Sequence, residues 1–142
     1  MPKKQRGALL LEFVLILPFF LWLTFLALYY ALVAHDVSAL HDAVRAGSRY
    51  GAVALAEAEN IDTKTNTAKD TIKDYANRML YLYSVNDTDI SVETGASITI
   101  DGEPGVKVTV SAPLKDASGV PALVRDVVPE SISSTLTMRL EQ

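Results

Sequence analysis

The sequence predicts an α+β protein with a long N-terminal helix, a second helix and a small antiparallel sheet of three or four strands. Three observations support this fold. The chain opens on a long apolar run, apolar residues then recur every three or four positions, and later segments alternate apolar with polar residues. We therefore expect the first half of the long helix to span a membrane and its second half to be amphipathic.

The apolar run is long enough to cross a bilayer. From Phe13 to Ala34 the chain has 22 residues without a charged side chain. At about 1.5 Å per residue this run extends roughly 33 Å, against a hydrocarbon core of about 30 Å. We expect a basic leader peptide at residues 1–7, a transmembrane helix at 8–34 and a folded α+β domain at 35–142.

The charges on either side of this helix predict its orientation. The leader carries three basic residues and no acidic one, whereas residues 35–142 carry 16 acidic and 10 basic residues. Basic residues next to a span stay on the cytoplasmic side. The sequence therefore predicts a single-pass protein of the cytoplasmic (inner) membrane, with a cytoplasmic N-terminus and an extracytoplasmic C-terminal domain.

Composition excludes several classes of function. The chain has no cysteine and a net charge of −4, which excludes thiolate metal sites and disfavours nucleic-acid binding. His35 and His41 are six residues apart and face different sides of a helix, so they make a poor metal pair. No phosphate-binding glycine loop or nucleophile–base spacing is present. We expect neither an enzyme nor a protein with a cofactor, a bound metal or a small-molecule substrate.

Three interpretations of the N-terminus compete, and the first two are ordinary membrane signals. A cleaved secretory signal has an apolar core of about 7–15 residues and small residues at its cleavage site, whereas this run is longer and Leu32 occupies one of those positions. An uncleaved signal anchor fits the length but leaves Glu12 unexplained. An unpaired carboxylate at this depth costs a few kcal/mol unless it reaches the headgroups, so Glu12 either has a partner or snorkels to the cytoplasmic surface.

The local pattern around Glu12 resembles a known processing signal. Arg6-Gly7 ends the leader, and Ala8 to Phe13 opens the apolar run. This resembles the class III signal of prepilin-like proteins, which a membrane peptidase cuts after glycine and in which glutamate is the fifth mature residue. More narrowly, Glu12-Phe13 followed by an apolar run and Leu17-Pro18 resembles the TadE-like minor pseudopilins of the tight-adherence (Flp) type IV pilus system. Residues 43–51, 106–114 and 138–141 are similar to that family too, whereas residues 57–90 carry no signature.

The resemblance implies an assembly subunit, a minor pilin or pseudopilin, that supports pilus biogenesis and surface adhesion. It implies cleavage between Gly7 and Ala8, and pairing of Glu12 with the new N-terminus of a neighbouring subunit. The implied partners are prepilin peptidase, other pilins or pseudopilins, the inner-membrane assembly platform and the lipid bilayer, and the chain itself would enter an extracellular pilus. The alternative is an uncleaved, signal-anchored bitopic protein whose outer domain binds a protein partner. Type II secretion pseudopilins share the same glycine and glutamate pattern, and the sequence does not separate major from minor subunits.

The helical elements follow from the 3.6-residue period. Pro18 predicts a kink in the first helix. An apolar stripe extends this helix to about residue 58, and Gly47 and Gly51 form a smooth patch on it for close packing within the chain. The stripe consists of Val37, Leu40, Val44, Gly47, Gly51 and Leu55. After a loop at 60–66, a second helix is predicted over 68–83. Its predicted buried side chains are Ile72, Tyr75, Met79 and Leu82 or Tyr83, and its predicted ion pairs are Asp70–Lys73 and Asp74–Arg78.

The alternation of apolar and polar residues predicts the strands. A first strand covers Ile90 to Ile100 with an interruption near Gly95, and a turn at 101–105 leads to a second strand that Pro113 ends. A connection at 115–131 has a short helix over 121–128. The last strand spans 133–140 and carries Leu136, Met138 and Leu140 on one face.

Overall fold

The computed structural model of the chain describes residues 3–56, 61–100, 102–115 and 125–139. Its elements are helix α1 (Lys3–Ala56), helix α2 (Ile61–Met79), a 3-10 turn at Asp87–Asp89, and strands β1 (Ile90–Ile100), β2 (Glu103–Pro113) and β3 (Ser131–Arg139). The predicted α+β fold, with two helices and a small antiparallel sheet, is confirmed.

Helix α1 is a single element of 54 residues that contains Pro18 in its interior. Its apolar part has a mean hydropathy of 2.3 over an 18-residue window, and none of that window is buried inside the protein. A core helix of a soluble protein would bury such a surface. Helix α1 is therefore long and apolar enough to cross a membrane, and within the described part of the chain it is the one helix that is.

The sheet has three antiparallel strands in the order β1-β2-β3. Ile90 lies opposite Val110, and Val108 lies opposite Leu136. The predicted interruption of β1 is a shift of register between Gly95 and Thr99. Strand β2 ends at Pro113 as predicted, but it begins at Glu103 rather than after residue 105, because Glu103 already pairs with Ile100. Gly102 supplies the turn with a φ of 86°, a conformation that side chains disfavour.

The second half of α1 packs on both α2 and the sheet. Leu40 and Val44 of α1 are 1% exposed, and so is Val108 of β2. Successive inward positions of β2 are buried as alternation predicts, and these positions are Val106, Val108, Val110 and Ala112. We call α2, the sheet and the second half of α1 the folded domain.

Helix α2 differs from its prediction in its bounds and in its buried face. It begins at Ile61, inside the segment predicted as a loop, and ends at Met79. Tyr75 and Met79 are 38% and 44% exposed, whereas Ala68, Ile72, Ala76 and Leu80 are buried. The alanines permit a close approach to α1, which turns the bulkier tyrosine and methionine outward. Asp74 pairs with Arg78 at 2.8 Å as predicted, but Lys73 pairs with Asp87 at 2.9 Å rather than with Asp70.

The last strand begins two residues earlier than predicted, at Ser131, and Ile132 is its most apolar buried side chain. Leu136 and Met138 are partly buried on the predicted face, and Leu140 lies outside the described residues. The predicted short helix at 121–128 and the predicted end of the first helix near residue 58 also fall largely outside them.

Candidate functional site

The predicted processing residues lie on the first turns of α1. Gly7 and Ala8 belong to the helical backbone, and the Glu12 side chain is exposed on the apolar surface. Pro18 lies two turns further along the same helix. Among the side chains that the structure describes, none in the folded domain is hydrogen-bonded to Glu12.

A buried carboxylate lies just after the apolar run. Asp36 is 0% exposed, and its two oxygens accept hydrogen bonds from the backbone N–H groups of Tyr81, Leu82 and Tyr83. The N···O distances are 3.0 and 3.1 Å from Tyr81, 2.7 Å from Leu82 and 3.3 Å from Tyr83. We call Asp36 and these three N–H groups the Asp36 clamp.

The clamp explains how a carboxylate can be buried here. An ionised group without hydrogen bonds would be very costly to remove from water. Three consecutive N–H groups converge on Asp36 because α2 ends at Met79, which leaves the following backbone free to curl around an anion. An additional contact comes from His35, whose Nδ1 lies 3.3 Å from Asp36 Oδ1. The clamp therefore fastens the chain after α2 to α1.

Other segments are tied to the same region. The Tyr83 hydroxyl donates to the carbonyl of Pro129 at 2.8 Å, and Lys115 Nζ donates to the carbonyl of Leu80 at 2.8 Å. Burial, and secondarily the charge of Asp36, raise the pKa of the Tyr83 hydroxyl, so it remains a neutral donor. The end of α2, the end of β2 and the start of β3 therefore meet at the level of Asp36.

The apolar stripe predicted for α1 from the sequence did not include Asp36. It placed Val37 on the buried face, but Val37 is 42% exposed and Asp36 takes that position. The usable signal is the spacing of Val33, Asp36 and Leu40, which puts an acidic residue in line with buried apolar ones. An acidic residue at such a position indicates a carboxylate that the fold satisfies.

Gly47 lies where α2 crosses α1. It is buried, and a β-carbon there would overlap the Ile72 side chain. Asp36 meets Tyr81 while Gly47 meets Ile72, so α2 runs antiparallel to α1. Gly51 lies one turn further along α1, at a position whose surroundings are not described.

We expect the Gly47→Ala variant to lose up to about 2 kcal/mol of stability. The new β-carbon collides with Ile72, at a typical cost of about 1–3 kcal/mol, and this exceeds the roughly 1 kcal/mol that alanine contributes as a better helix former. The check is the denaturant midpoint of the full chain in micelles. Adding Ile72→Ala to Gly47→Ala should cost less than Ile72→Ala costs alone, and a Gly47→Ala variant more stable than the parent would contradict the close contact.

The two histidines serve separate contacts. The His35 ring packs against the Tyr81 ring in a tilted arrangement with centroids 5.1 Å apart, and His41 Nδ1 lies 2.9 Å from the Ser134 hydroxyl oxygen. Within residues 3–56, 61–100, 102–115 and 125–139, no three histidine or acidic side chains group as metal ligands. Both contacts join α1 to the rest of the folded domain.

The exposed apolar part of α1 and the part that packs in the folded domain belong to one helix. Asp36, Gly47 and the buried stripe connect this helix to the rest of the domain.

A comparison with known families gives a match to the N-terminal region. A family model described as TadE-like protein matches residues 7–49. The match begins at Gly7 and includes Glu12, Pro18, Asp36 and Gly47. No curated protein and no solved structure gives a significant match to the chain. The matched residues form all of α1 except its two ends.

Proposed function

We propose that the chain is a pilus-associated protein with a structural rather than enzymatic role, and more narrowly a minor pilin or pseudopilin of a tight-adherence-type pilus, because its residues 7–49 match the TadE-like family model. Prepilin peptidase matures it by cutting after Gly7, and the mature chain supports pilus biogenesis and surface adhesion. The observation that carries the proposal is the position of the family match, which starts at Gly7 and follows α1 through the apolar run.

Gly7 suits the proposed cleavage. The bond between Gly7 and Ala8 lies in the helical backbone, so a protease must open the first turns of α1 to reach it. Glycine weakens a helix by about 1 kcal/mol relative to alanine and has no side chain to obstruct a narrow intramembrane site. Cleavage removes all three basic leader residues and leaves an ammonium group at Ala8.

Glu12 is the residue that this ammonium group would neutralise in a neighbouring subunit. The Glu12 side chain is exposed on an apolar helix, where an unpaired carboxylate is unfavourable in lipid. Pairing with an N-terminal ammonium relieves the desolvation cost of both charges. A pair between chains favours assembly over the separate subunit.

The proposed setting follows from the same residues. The leader faces the cytoplasm, α1 crosses the inner membrane, and the folded domain lies outside, ready to enter an extracellular pilus. Prepilin peptidase, other pilins or pseudopilins and the inner-membrane assembly platform are the partners. The proline at position 18 removes one helical hydrogen bond, which introduces a kink where α1 must adapt as it leaves the bilayer.

A replacement of residues 1–25 tests this function against that of an anchored binding protein. The boundary is chosen because Leu26 is the first residue of the apolar run that packs on the domain core. A heterologous, uncleavable transmembrane segment at 1–25 should leave the domain folded and membrane-bound but abolish pilus formation. The matched control replaces only residues 19–25 and retains Gly7, Glu12 and Pro18. Normal piliation with the full replacement would show that the segment is only an anchor.

A further inference from the structure

One end of the folded domain exposes apolar side chains beside the apolar run of α1. Tyr30 is 50% exposed, Tyr81 is 67% exposed and Val127 is 40% exposed. We call these three residues the base. We propose that the base lies in the lipid headgroup region of the bilayer that α1 crosses, so that the folded domain rests on the membrane rather than standing clear of it.

The height of the base along α1 supports this placement. The Tyr81 ring packs against the His35 ring, and the Tyr81 backbone N–H donates to Asp36, so Tyr81 lies at the level of the first residues after the uncharged run. Val127 precedes the buried Val128 in the sequence. The residue after Val128 is Pro129, and its carbonyl oxygen accepts a hydrogen bond from the Tyr83 hydroxyl. Both residues are therefore held at the end of the domain from which the apolar run emerges.

The domain also overlaps the apolar run itself. Val33 is buried in the core, and Tyr29 and Leu26 are partly buried against that core one and two turns earlier. From residue 26 to residue 34 the domain and the uncharged run lie side by side for about 12 Å. A hydrocarbon core of about 30 Å uses about 20 residues of helix, so a bilayer that covers the run must reach the base.

The chemistry of the base matches a membrane interface. Tyrosine is enriched at the headgroup level because its ring is apolar and its hydroxyl can remain hydrated. The base itself consists of two tyrosines and a valine and contains no acidic or basic residue. Zwitterionic lipid is therefore sufficient, and apolar contact rather than net charge supplies the attraction.

Tryptophan fluorescence tests the proposal on the full chain. Trp22 is first replaced by phenylalanine, because it is the one natural tryptophan. Tyr81→Trp and Val127→Trp are then introduced separately, and the chain is reconstituted in phosphatidylcholine vesicles with acyl chains brominated near the headgroup. The matched control is Tyr50→Trp, which lies on α1 about 22 Å beyond His35. Unchanged unfolding midpoints establish that each variant is folded.

The expected result is quenching and blue-shifted emission for the tryptophans at 81 and 127, but not for the one at 50. Equal, weak quenching at all three positions would overturn the proposal, because the domain would then stand clear of the lipid. A blue shift at position 81 that disappears as the protein is diluted in lipid would also overturn it, since a second copy rather than lipid would cover the base. The test requires only that α1 crosses the bilayer, so its outcome is independent of cleavage at Gly7.

Discussion

Replacing Asp36 with alanine is expected to destabilise the folded domain by about 3 kcal/mol, the largest loss we expect from any single polar substitution outside the apolar run. The variant leaves three backbone N–H groups without their carboxylate in a site that is 0% exposed at Asp36. Each unsatisfied buried donor costs about 1–3 kcal/mol, and relief from burying a charge offsets part of the sum.

The measurement is the unfolding midpoint of the full chain in micelles, together with amide exchange at Tyr81, Leu82 and Tyr83. Asp42→Ala is the matched control, because Asp42 lies on the same helix with an exposed side chain. Asp36→Asn should give an intermediate loss, since it keeps one oxygen acceptor but turns an NH₂ group toward the donors. If Asp36→Ala were as stable as Asp42→Ala, the clamp would not hold the domain to α1.

Replacing Glu12 with alanine should reduce pilus formation at least about tenfold while the protein still inserts in the membrane. Removing one partner of a buried ion pair typically costs about 3–5 kcal/mol, and about 1.4 kcal/mol is already a factor of ten in an equilibrium. Insertion should not suffer, because alanine is more compatible with lipid than glutamate is. The measurements are the pilus yield and the membrane-bound amount of the variant.

Glu12→Asp and Glu12→Gln separate charge from size. The aspartate variant keeps the negative charge on a shorter side chain and should retain more assembly than the glutamine variant, which is nearly isosteric but neutral. Wild-type pilus yield from Glu12→Ala would mean that the carboxylate only snorkels to the headgroups, and it would remove the pairing from the account.

The strands were predictable because one buried face dictates alternation. Val106, Val108 and Val110 are buried where the period of two places them, and Pro113 ends the strand because proline cannot donate to the ladder. The bounds of α2 were not predictable in the same way. Its first turns are polar and rich in threonine, which has no apolar period but only a modest penalty in a helix.

The residues of the candidate site also differ in whether a local sequence pattern marks them. Gly7, Glu12 and Pro18 could be proposed from the sequence because their pattern is local to the first turns of α1, and Gly47 could be proposed because it lies on a helical stripe. Asp36 was missed because its partners, the N–H groups of residues 81–83, are 45 to 47 residues away in the sequence. Backbone donors carry no sequence signature, so only the fold reveals such a contact.

The most direct test of the proposed function is the mass of the membrane-extracted protein, expressed with and without a prepilin peptidase. Co-expression should shorten the chain by residues 1–7, so that it begins at Ala8, and Gly7→Leu should block that shortening without preventing insertion. A chain that keeps its leader in the presence of an active peptidase, one that cuts a known prepilin in the same cells, would contradict the account and leave a signal-anchored protein in its place.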